Sequence, residues 1–360
     1  MIKPHKGVAA VDALLPRSLK VKNMNREILD QIVRDGNRIF ATGGEVTVGT
    51  IDECSNPGST TYRIELFLGE ERHAIYVKTL IPGRGATEKI KEDVLKEYEV
   101  LCSLYDGFAD MPGVSVVRPL AVFPEYRTIV TEEAPGPTLQ HRLARATRPW
   151  VSSDDSGKAG RSCYLAGKWL NKFQQLTYKG NSPFSAGDIV DYCNVRLCDL
   201  VARPDSGVND SLQEKLSDCI EAMSRQARQQ ENTVAGCHND FAPHNMIAQD
   251  NHLCVLDFGF FNYESTIYDV CRFWHRLETF KADPLISSRR ITDYQESFLL
   301  GYEHAVDRNA SAFRLAEVRF VLSSMCTLLK GASRSFVKRQ IDSYVYRRYL
   351  RWLKQTCTNY

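Results

Sequence analysis

The stretch Cys237-His238-Asn239-Asp240-Phe241-Ala242-Pro243-His244-Asn245, followed by Leu253-Cys254-Val255-Leu256-Asp257-Phe258-Gly259, carries most of what this sequence says about its fold. Asp240 and Asn245 stand five residues apart, and Asp257 follows a short apolar run. Two carboxylates and an amide offer oxygen atoms, which are the ligands that Mg²⁺ prefers. The spacing suits phosphoryl transfer, in which one carboxylate faces an acceptor hydroxyl while the other groups hold the metal against nucleotide phosphates.

The composition is that of an ordinary soluble protein with room for two lobes. The chain has 360 residues, of which 43% are hydrophobic and 25% charged, and its net charge of +2 gives no reason to expect a nucleic-acid partner. The first residues lack the apolar core of a signal peptide, and no run approaches the length of a membrane span. The eleven scattered cysteines are typical of reduced thiols, so we expect a cytoplasmic location.

The sequence pattern of the N-terminal part predicts short strands around one main helix. A helical patch at 26–33 comes first, and 86–105 has apolar residues at helical spacing. Strand-like runs occupy 46–51, 62–68, 74–78, 114–123 and 128–131.

The Pro/Gly-rich segment 132–137 breaks regular structure and predicts a hinge. Beyond it the sequence is mainly helical, with a polar loop at 146–158 and short strands around Asp240 and Asp257; the predicted helices are 138–145, 159–177, 210–230 and 266–280, with further pieces to about 355. We therefore predict an α+β protein with a sheet-containing N-lobe at 1–131, an N-terminal extension at 1–36 and a helical C-lobe at 138–360.

The segment His238–Asn245, together with Leu256-Asp257-Phe258-Gly259, resembles the aminoglycoside phosphotransferase-like family of small-molecule kinases, whose pattern is His-x-Asp, four residues, Asn, then a short strand ending in Asp. The resemblance covers about 46–280 and departs from the family at Asn239, where glycine is usual. It implies a bilobal protein-kinase-like fold, with a small antiparallel sheet and one main helix in the N-lobe. It also implies ATP or GTP with Mg²⁺ as cofactors.

By the same resemblance, Asp240 is the base or orienting residue for the acceptor hydroxyl, and Asn245 and Asp257 bind Mg²⁺. His238 belongs to the catalytic loop but supports it by hydrogen bonding rather than by chemistry, and Asp269 braces the loop from a helix start. Taken singly, these residues are also common in helix caps and turns. Their joint occurrence favours the site.

Lys78 ends a largely apolar strand, and such a charge needs an anionic partner. Nucleotide phosphates supply one, and Glu97 of the following helix, chosen over Glu99 by the family's pattern, supplies another. A solvated charged helix face is the alternative for the glutamate.

The phosphate-binding loop is predicted at 55–61, where Gly58 permits close backbone approach and Ser59 and Thr60 can donate hydrogen bonds. An ordinary hairpin turn explains the same composition equally well. Adenine is expected to bind the backbone around Thr131–Ala134, at Glu132 and Ala134, because Ile129-Val130-Thr131-Glu132 resembles the family's hinge.

Only nine residues separate Gly259 from Asp269, too few for the activation loop of a protein kinase. A small-molecule acceptor is therefore preferred, and a sugar, an amino alcohol, an aminoglycoside or a glycan-linked group all stay open. We expect its pocket between the Asp240 loop and the helices of the C-lobe. A catalytically silent pseudokinase that acts as a scaffold or regulator is the alternative function, and the sequence leaves the oligomeric state open.

The segment 334–354 carries seven Lys or Arg residues, one acid (Asp342) and several interleaved aromatic residues. Contact with an anionic membrane surface is one interpretation. A terminal helix that packs its aromatic side chains on the lobe is favoured, because the pattern has no clean division into two faces.

Overall fold

The structure is a computed structural model that describes residues 24–40, 45–54, 58–81, 87–281, 283, 285–329 and 336–356. The chain divides into two compact units, Met1–Asp110 with Val116–Pro135 and Met111–Ser115 with Gly136–Tyr360. Residues 1–23 of the predicted extension and 55–57 of the predicted phosphate loop lie outside the described residues. The assignment of residues 111–115 to the second unit was not predicted from the sequence.

The first unit is built on a five-stranded antiparallel sheet with strand order β1-β2-β3-β6-β5. Its strands are β1 (Val46–Glu53), β2 (Ser59–Leu68), β3 (Glu71–Leu80), β5 (Pro119–Phe123) and β6 (Thr128–Glu132). The tight turn between β2 and β3 requires a left-handed backbone at Gly69, where φ is 65°. The predicted hairpin is therefore present, with both strands longer than the apolar pattern suggested.

Two helices accompany this sheet, α1 (Arg26–Phe40) and α2 (Thr87–Gly107). Apolar side chains of α1, Ile28 and Ile32 among them, share one core with Ile64 and Ile75 of the sheet. In α2 the buried residues Val94, Leu101 and Leu104 recur at helical spacing, which is the pattern that predicted the helix.

The strand-like run predicted at 114–123 is two strands that belong to different sheets, which corrects the sequence interpretation. β4 (Val114–Val116) pairs with a strand of the second unit, β10 (Leu253–Val255), whereas β5 pairs with β6. Pro119 is the first residue of β5 and lacks an N–H, and the ladder of β5 shifts register between Pro119 and Ala121. The proline therefore marks a break that apolar periodicity alone does not reveal.

The second unit is mainly helical. Its helices are α3 (Leu139–Ala146), α4 (Ser153–Leu176), α5 (Gly187–Val201), α6 (Asp210–Ala227), α7 (Ile267–Phe280), α8 (Ser288–Tyr302), α9 (Ser311–Leu329) and α10 (Phe336–Thr356). α4 begins inside the predicted polar loop because Ser152 caps it by accepting the N–H of Asp155 at 3.1 Å. None of the described helices is long and apolar enough to span a membrane.

Two small sheets complete the second unit and hold the loops that carry the motif. One has the order β4-β10-β9, with β9 at Met246–Ala248 and β10 at Leu253–Val255. The other has the order β11-β8-β7, with β7 at Gly180–Pro183, β8 at Glu231–Cys237 and β11 at Asn262–Ser265. The loop 238–245 joins β8 to β9, and the loop 256–261 joins β10 to β11. The predicted α+β class, with a sheet in the N-terminal part and helices in the C-terminal part, is confirmed.

Candidate active site

Asp240 lies in the loop between β8 and β9, and both of its carboxylate oxygens have partners. Oδ1 forms an ion pair with Nη2 of Arg272, and Oδ2 accepts the Asn245 side-chain N–H at 3.0 Å. His244 Nε2 lies 3.3 Å from the same Oδ2 atom. Burial by itself raises the pKa of Asp240, but hydrogen bonding to His244 and the charge of Arg272 outweigh it and hold that pKa well below its usual range. The carboxylate is therefore ionised at neutral pH.

Asp269, in the first turn of α7, fixes the loop that carries Asp240. Its two oxygens accept the backbone N–H groups of His238 at 2.6 Å and Asn239 at 3.0 Å. Asn239 adopts the left-handed conformation, with φ at 59°, which asparagine tolerates better than most residues. This explains how the chain departs from glycine at this position. Burial raises the pKa of Asp269 to about 7, although both accepted N–H groups act in the opposite direction.

His238 is fully buried and connects the two loops. Its Nδ1 accepts the backbone N–H of Asp240 at 3.2 Å, so Nε2 is the protonated nitrogen and donates to the Leu256 carbonyl at 2.8 Å. Burial lowers the pKa of His238, in keeping with a neutral ring. These contacts favour the supporting role expected from the sequence, because a side chain without exposed surface cannot reach a substrate.

An aromatic cluster lies under both loops. Phe241 and Phe258 are almost completely buried, and the Phe241 ring stacks on Trp169 with a centroid distance of 5.5 Å. Trp169 also contacts Phe173 of the same helix at 4.9 Å. Burying such large rings stabilises the bases of both loops.

Asn245 and Asp257 lie at the same end of the β9–β10 hairpin. Met246 pairs with Val255 in the antiparallel register, and the Leu256 N–H donates to the Asn245 carbonyl at 2.9 Å. Asp257 is exposed and has a left-handed backbone, with φ at 64°.

The donor set at this hairpin end fits a magnesium ion. Because the amide nitrogen of Asn245 donates to Asp240, its side-chain carbonyl oxygen is the atom left for a cation. This oxygen and the Asp257 carboxylate are hard ligands of the type that Mg²⁺ selects.

In the first unit, Lys78 of β3 and Glu97 of α2 form the predicted ion pair, with Nζ to Oε1 at 3.0 Å. The Glu97 side chain is buried, whereas Glu99 is exposed. The structure thus selects the glutamate that the family pattern indicated. The contact of this pair with a nucleotide stays a prediction.

The residues predicted to cradle phosphate lie at the start of β2. The Gly58 carbonyl accepts the Ile81 N–H at 3.1 Å, and Ser59 and Thr60 pair with Leu80 and Thr79 in the β2–β3 ladder. The described part of this loop is therefore more strand-like than the sequence suggested. Space around Gly58 is open, so the backbone there is accessible.

At the end of β6, the Glu132 N–H donates to the Arg118 carbonyl at 3.0 Å, and the Glu133 N–H donates to the Ala74 carbonyl at 2.8 Å. The Glu132 N–H therefore points away from β3, because successive residues of an extended chain direct their backbone groups to opposite sides. Arg63 forms a bidentate ion pair with Glu133, at 2.7 and 2.8 Å, which the sequence did not predict.

The sequence interpretation also missed Arg272 and Arg276. Together with Asp269 they recur at positions i, i+3 and i+7 of α7, so they share one helix face. That spacing was the signal that could have found them, because the helix and its bracing aspartate were already predicted.

Comparison with solved structures supports the fold. A complex of gentamicin with APH(2")-IIa is 17% identical over 91% of this chain and 96% of that chain, with a TM-score of 0.53. Amicoumacin kinase hAmiN in complex with AMP-PNP, Ca²⁺ and Ami is 13% identical over 93% and 96%, also with a TM-score of 0.53. A Plasmodium vivax ethanolamine kinase is 14% identical over 86% and 82%, with a TM-score of 0.51.

No curated protein matches the sequence significantly. The sequence model of the phosphotransferase enzyme family APH matches residues 91–308, more than half of the chain, and the matched range includes Asp240, Asn245 and Asp257. The chain belongs to this family of phosphotransferases.

Proposed function

We propose that this phosphotransferase is a Mg²⁺-dependent kinase that transfers the γ-phosphate of ATP or GTP to a hydroxyl group of a small polar acceptor. One observation carries the proposal: the ionised carboxylate of Asp240 lies within hydrogen-bond distance of Asn245, at the hairpin end from which Asp257 also projects. A base and two hard metal ligands gathered in this way are the parts that phosphoryl transfer needs.

Asp240 would accept a hydrogen bond from the acceptor hydroxyl and orient its oxygen for attack. The same interactions that keep the carboxylate ionised make it a weak base, so orientation contributes more than early proton abstraction. The neutral imidazole of His238 accepts the Asp240 N–H, and Asp269 accepts the N–H groups of the two preceding residues, so both fix the loop that carries Asp240. Preorganisation of this kind lowers the barrier without any movement during the reaction.

Asn245 and Asp257 would hold the magnesium ion, which when bound neutralises charge on the nucleotide phosphates. Lys78, oriented by Glu97, would contact those phosphates as a fixed positive charge. The backbone near Gly58, with Ser59 and Thr60, would add hydrogen bonds, and the backbone at Glu132 and Ala134 would bind the base.

The acceptor is proposed to be small and polar. The compared structures include one with gentamicin and one of an ethanolamine kinase, so the fold serves small hydroxyl-bearing molecules in other proteins. The short segment from Gly259 to Asp269, most of it β11 and the start of α7, also favours a small molecule over a protein substrate.

The test is a phosphotransfer assay of purified protein with Mg-ATP and Mg-GTP against sugars, amino alcohols, aminoglycosides and protein acceptors. Asp240→Asn keeps the shape of the side chain but removes its charge, so turnover should fall by about 10²–10⁴-fold while nucleotide binding persists.

Asp293→Asn, at an exposed position of α8, makes the same chemical change away from the site and should keep the parent's rate. A pseudokinase would bind nucleotide without transfer to any acceptor. Equal rates for Asp240→Asn and the parent would overturn the assignment of Asp240.

A further inference from the structure

Two arginines of α7 lie beside Asp240. Arg272 forms an ion pair with the Oδ1 atom of Asp240, and Arg276 follows one helical turn later. The charged groups that act on Arg276 are Arg272 and Asp240, together with the Tyr349 phenol. Both guanidinium groups therefore belong to the same neighbourhood as the proposed base.

The two guanidinium groups share one paired carboxylate. Among the residues that the structure describes, Asp240 pairs with Arg272, while Asp269, one turn earlier, is fully buried and uses both oxygens to accept N–H groups of the catalytic loop. The next acid of α7, Glu278, is engaged by Lys281 at 2.7 Å and Arg348 at 3.2 Å. Over the part of the chain that the structure describes, the Nε atoms of Arg272 and Arg276 are buried without a hydrogen-bond partner.

Arg272 already has Asp240 as a matching anion, so the cost to the folded protein falls on Arg276. A half-buried cation without a matching anion loses part of its hydration and gains little in return. Burial, followed by the charge of Arg272, lowers the pKa of Arg276. The lowered pKa means that the surroundings disfavour the charged form of this side chain. A bound anion would offset that cost.

The two oxygens of Asp240 indicate which ligand would bring the anion. Oδ2 faces Asn245, the proposed metal ligand, whereas Oδ1 faces Arg272. Arg272 thus lies at the carboxylate oxygen that is turned away from the metal ligand, and Arg276 follows one turn later on the same helix face.

An anion bound at the arginines would consequently come from the acceptor and not from the nucleotide. The Arg272 guanidinium is held over the Phe320 ring at 5.0 Å, and 22% of its side chain remains exposed, so it is both oriented and accessible.

We propose, on the basis of the proposed kinase function, that Arg272 and Arg276 form a subsite for an anionic group on the acceptor, a carboxylate or a phosphate close to the hydroxyl that receives the phosphoryl group. A planar guanidinium group can donate two charge-assisted hydrogen bonds to two oxygens of either anion. The substrate class is therefore acidic sugars, hydroxy acids or sugar phosphates. Cationic aminoglycosides and amino alcohols would be repelled.

The first test compares acceptors that share hydroxyl groups and differ in charge: glucosamine, glucose, glucuronate and glucose 6-phosphate, and in parallel ethanolamine, glycerol and glycerate. Transfer that depends on Asp240 is measured with Mg-ATP and Mg-GTP. An anionic member of a series should exceed its neutral counterpart by about tenfold or more in kcat/KM. Preference for neutral or cationic members overturns the subsite.

Variants of Arg276 test the residue itself, since Arg272 touches the proposed base. Arg276→Gln should raise the KM of the anionic acceptor by about tenfold with little change in the KM of ATP, and Arg276→Lys should recover part of the loss. Arg289→Gln, exposed on α8, removes an equal charge elsewhere and is the matched control. An equal effect of both glutamine variants contradicts the proposal.

Inorganic phosphate supplies a readout without catalysis. It should bind the wild-type protein and the Lys78→Met variant, and binding to Arg276→Gln should be at least about tenfold weaker in calorimetry. Equal phosphate affinity of the wild-type protein and Arg276→Gln overturns the proposed subsite. If no acceptor is phosphorylated in an Asp240-dependent reaction, the result counts against the kinase function instead. Failure of the subsite and failure of the kinase function are therefore distinguishable.

Discussion

At the scale of single residues, the position of Asp240 depends on groups distant in the sequence. Asp269 accepts two backbone N–H groups of the loop, and His238 joins Asp240 to the Leu256 carbonyl. The sequence could predict that Asp240, Asn245 and Asp257 form one site, because a single loop and the hairpin that follows it carry all three residues. The Arg272 contact could not, since it depends on how α7 packs against the loop.

Asp269→Asn tests this support. The variant keeps one oxygen and replaces the other by an NH₂ group, so one of the two backbone N–H groups loses its acceptor. We expect the free energy of unfolding to fall by about 1–3 kcal/mol, partly offset because a buried charge is also removed. The turnover number should fall by about tenfold or more, because small displacements of a catalytic group are costly.

Chemical denaturation and initial rates under saturating substrates measure these two effects. Asp293→Asn again serves as the control, because that aspartate is exposed. A variant with unchanged stability and unchanged turnover would show that the hydrogen bonds to Asp269 do not hold the loop in position.

At the scale of elements, the sharpest packing constraint is the crossing of α4 and α8. A Cβ atom on Gly167 would meet the Phe298 carbonyl oxygen and the Tyr302 nitrogen, and one on Gly301 would meet the Tyr164 carbonyl oxygen. The two backbones therefore lie in direct contact, which only glycine permits. α4 also carries Trp169, on which Phe241 of the catalytic loop stacks, so this crossing supports the site.

Gly167→Ala should lower the free energy of unfolding by about 3 kcal/mol, because the new methyl group meets backbone that cannot move aside. Gly157→Ala is a matched control on the same helix, since no atom lies within 4 Å of its added Cβ. That change should raise the free energy of unfolding by about 0.5–1 kcal/mol, because alanine favours the helix. Thermal and urea unfolding measure both, and equal effects of the two substitutions would refute the crossing geometry.

Sequence patterns predicted most elements but missed those whose signal is not local. The start of α5 carries no cap, because Ala186 offers no side-chain acceptor, and the preceding Asn-Ser-Pro has the composition of a turn. β7 contains these turn-like residues and forms a strand because it pairs with β8, and α5 packs against α9. These contacts join segments that are distant in the sequence, so no local pattern predicts them.

At the scale of the whole molecule, the C-terminal helix α10 is part of the core of the second unit. The Tyr346 hydroxyl donates to the Ser206 carbonyl at 2.7 Å, the Tyr349 hydroxyl lies 3.1 Å from His275 Nε2, and Leu353 is fully buried. Tyr346 and Tyr349 are therefore packed on the helices, which agrees with the favoured sequence interpretation for these two residues, whereas Tyr344 is exposed. The basic residues between them lie on the remaining faces of α10.

The buried pair of His275 and Tyr349 predicts that stability depends on pH. Burial, together with the charge of Arg276, lowers the pKa of His275 from 6.5 to about 4, while Glu278 acts in the opposite direction. Above pH 6.5 the ring is neutral in both the folded and the unfolded chain, so its contribution is complete. As the pH falls below 6.5 the unfolded chain takes up a proton first, and the folded state loses stability until the pH reaches about 4.

Within this window the loss should approach about 1.4 kcal/mol per pH unit from His275. His275→Gln cannot take up the proton, so the difference in unfolding free energy between parent and variant should shrink as the pH is lowered from 7 to 4.5. His141→Gln is the control, because that side chain is exposed and keeps its water in both states. Urea unfolding at a series of pH values measures the slopes. Parallel slopes for the parent and His275→Gln would mean that the ring is not kept neutral, and that α10 is not tied to α7 by a buried contact.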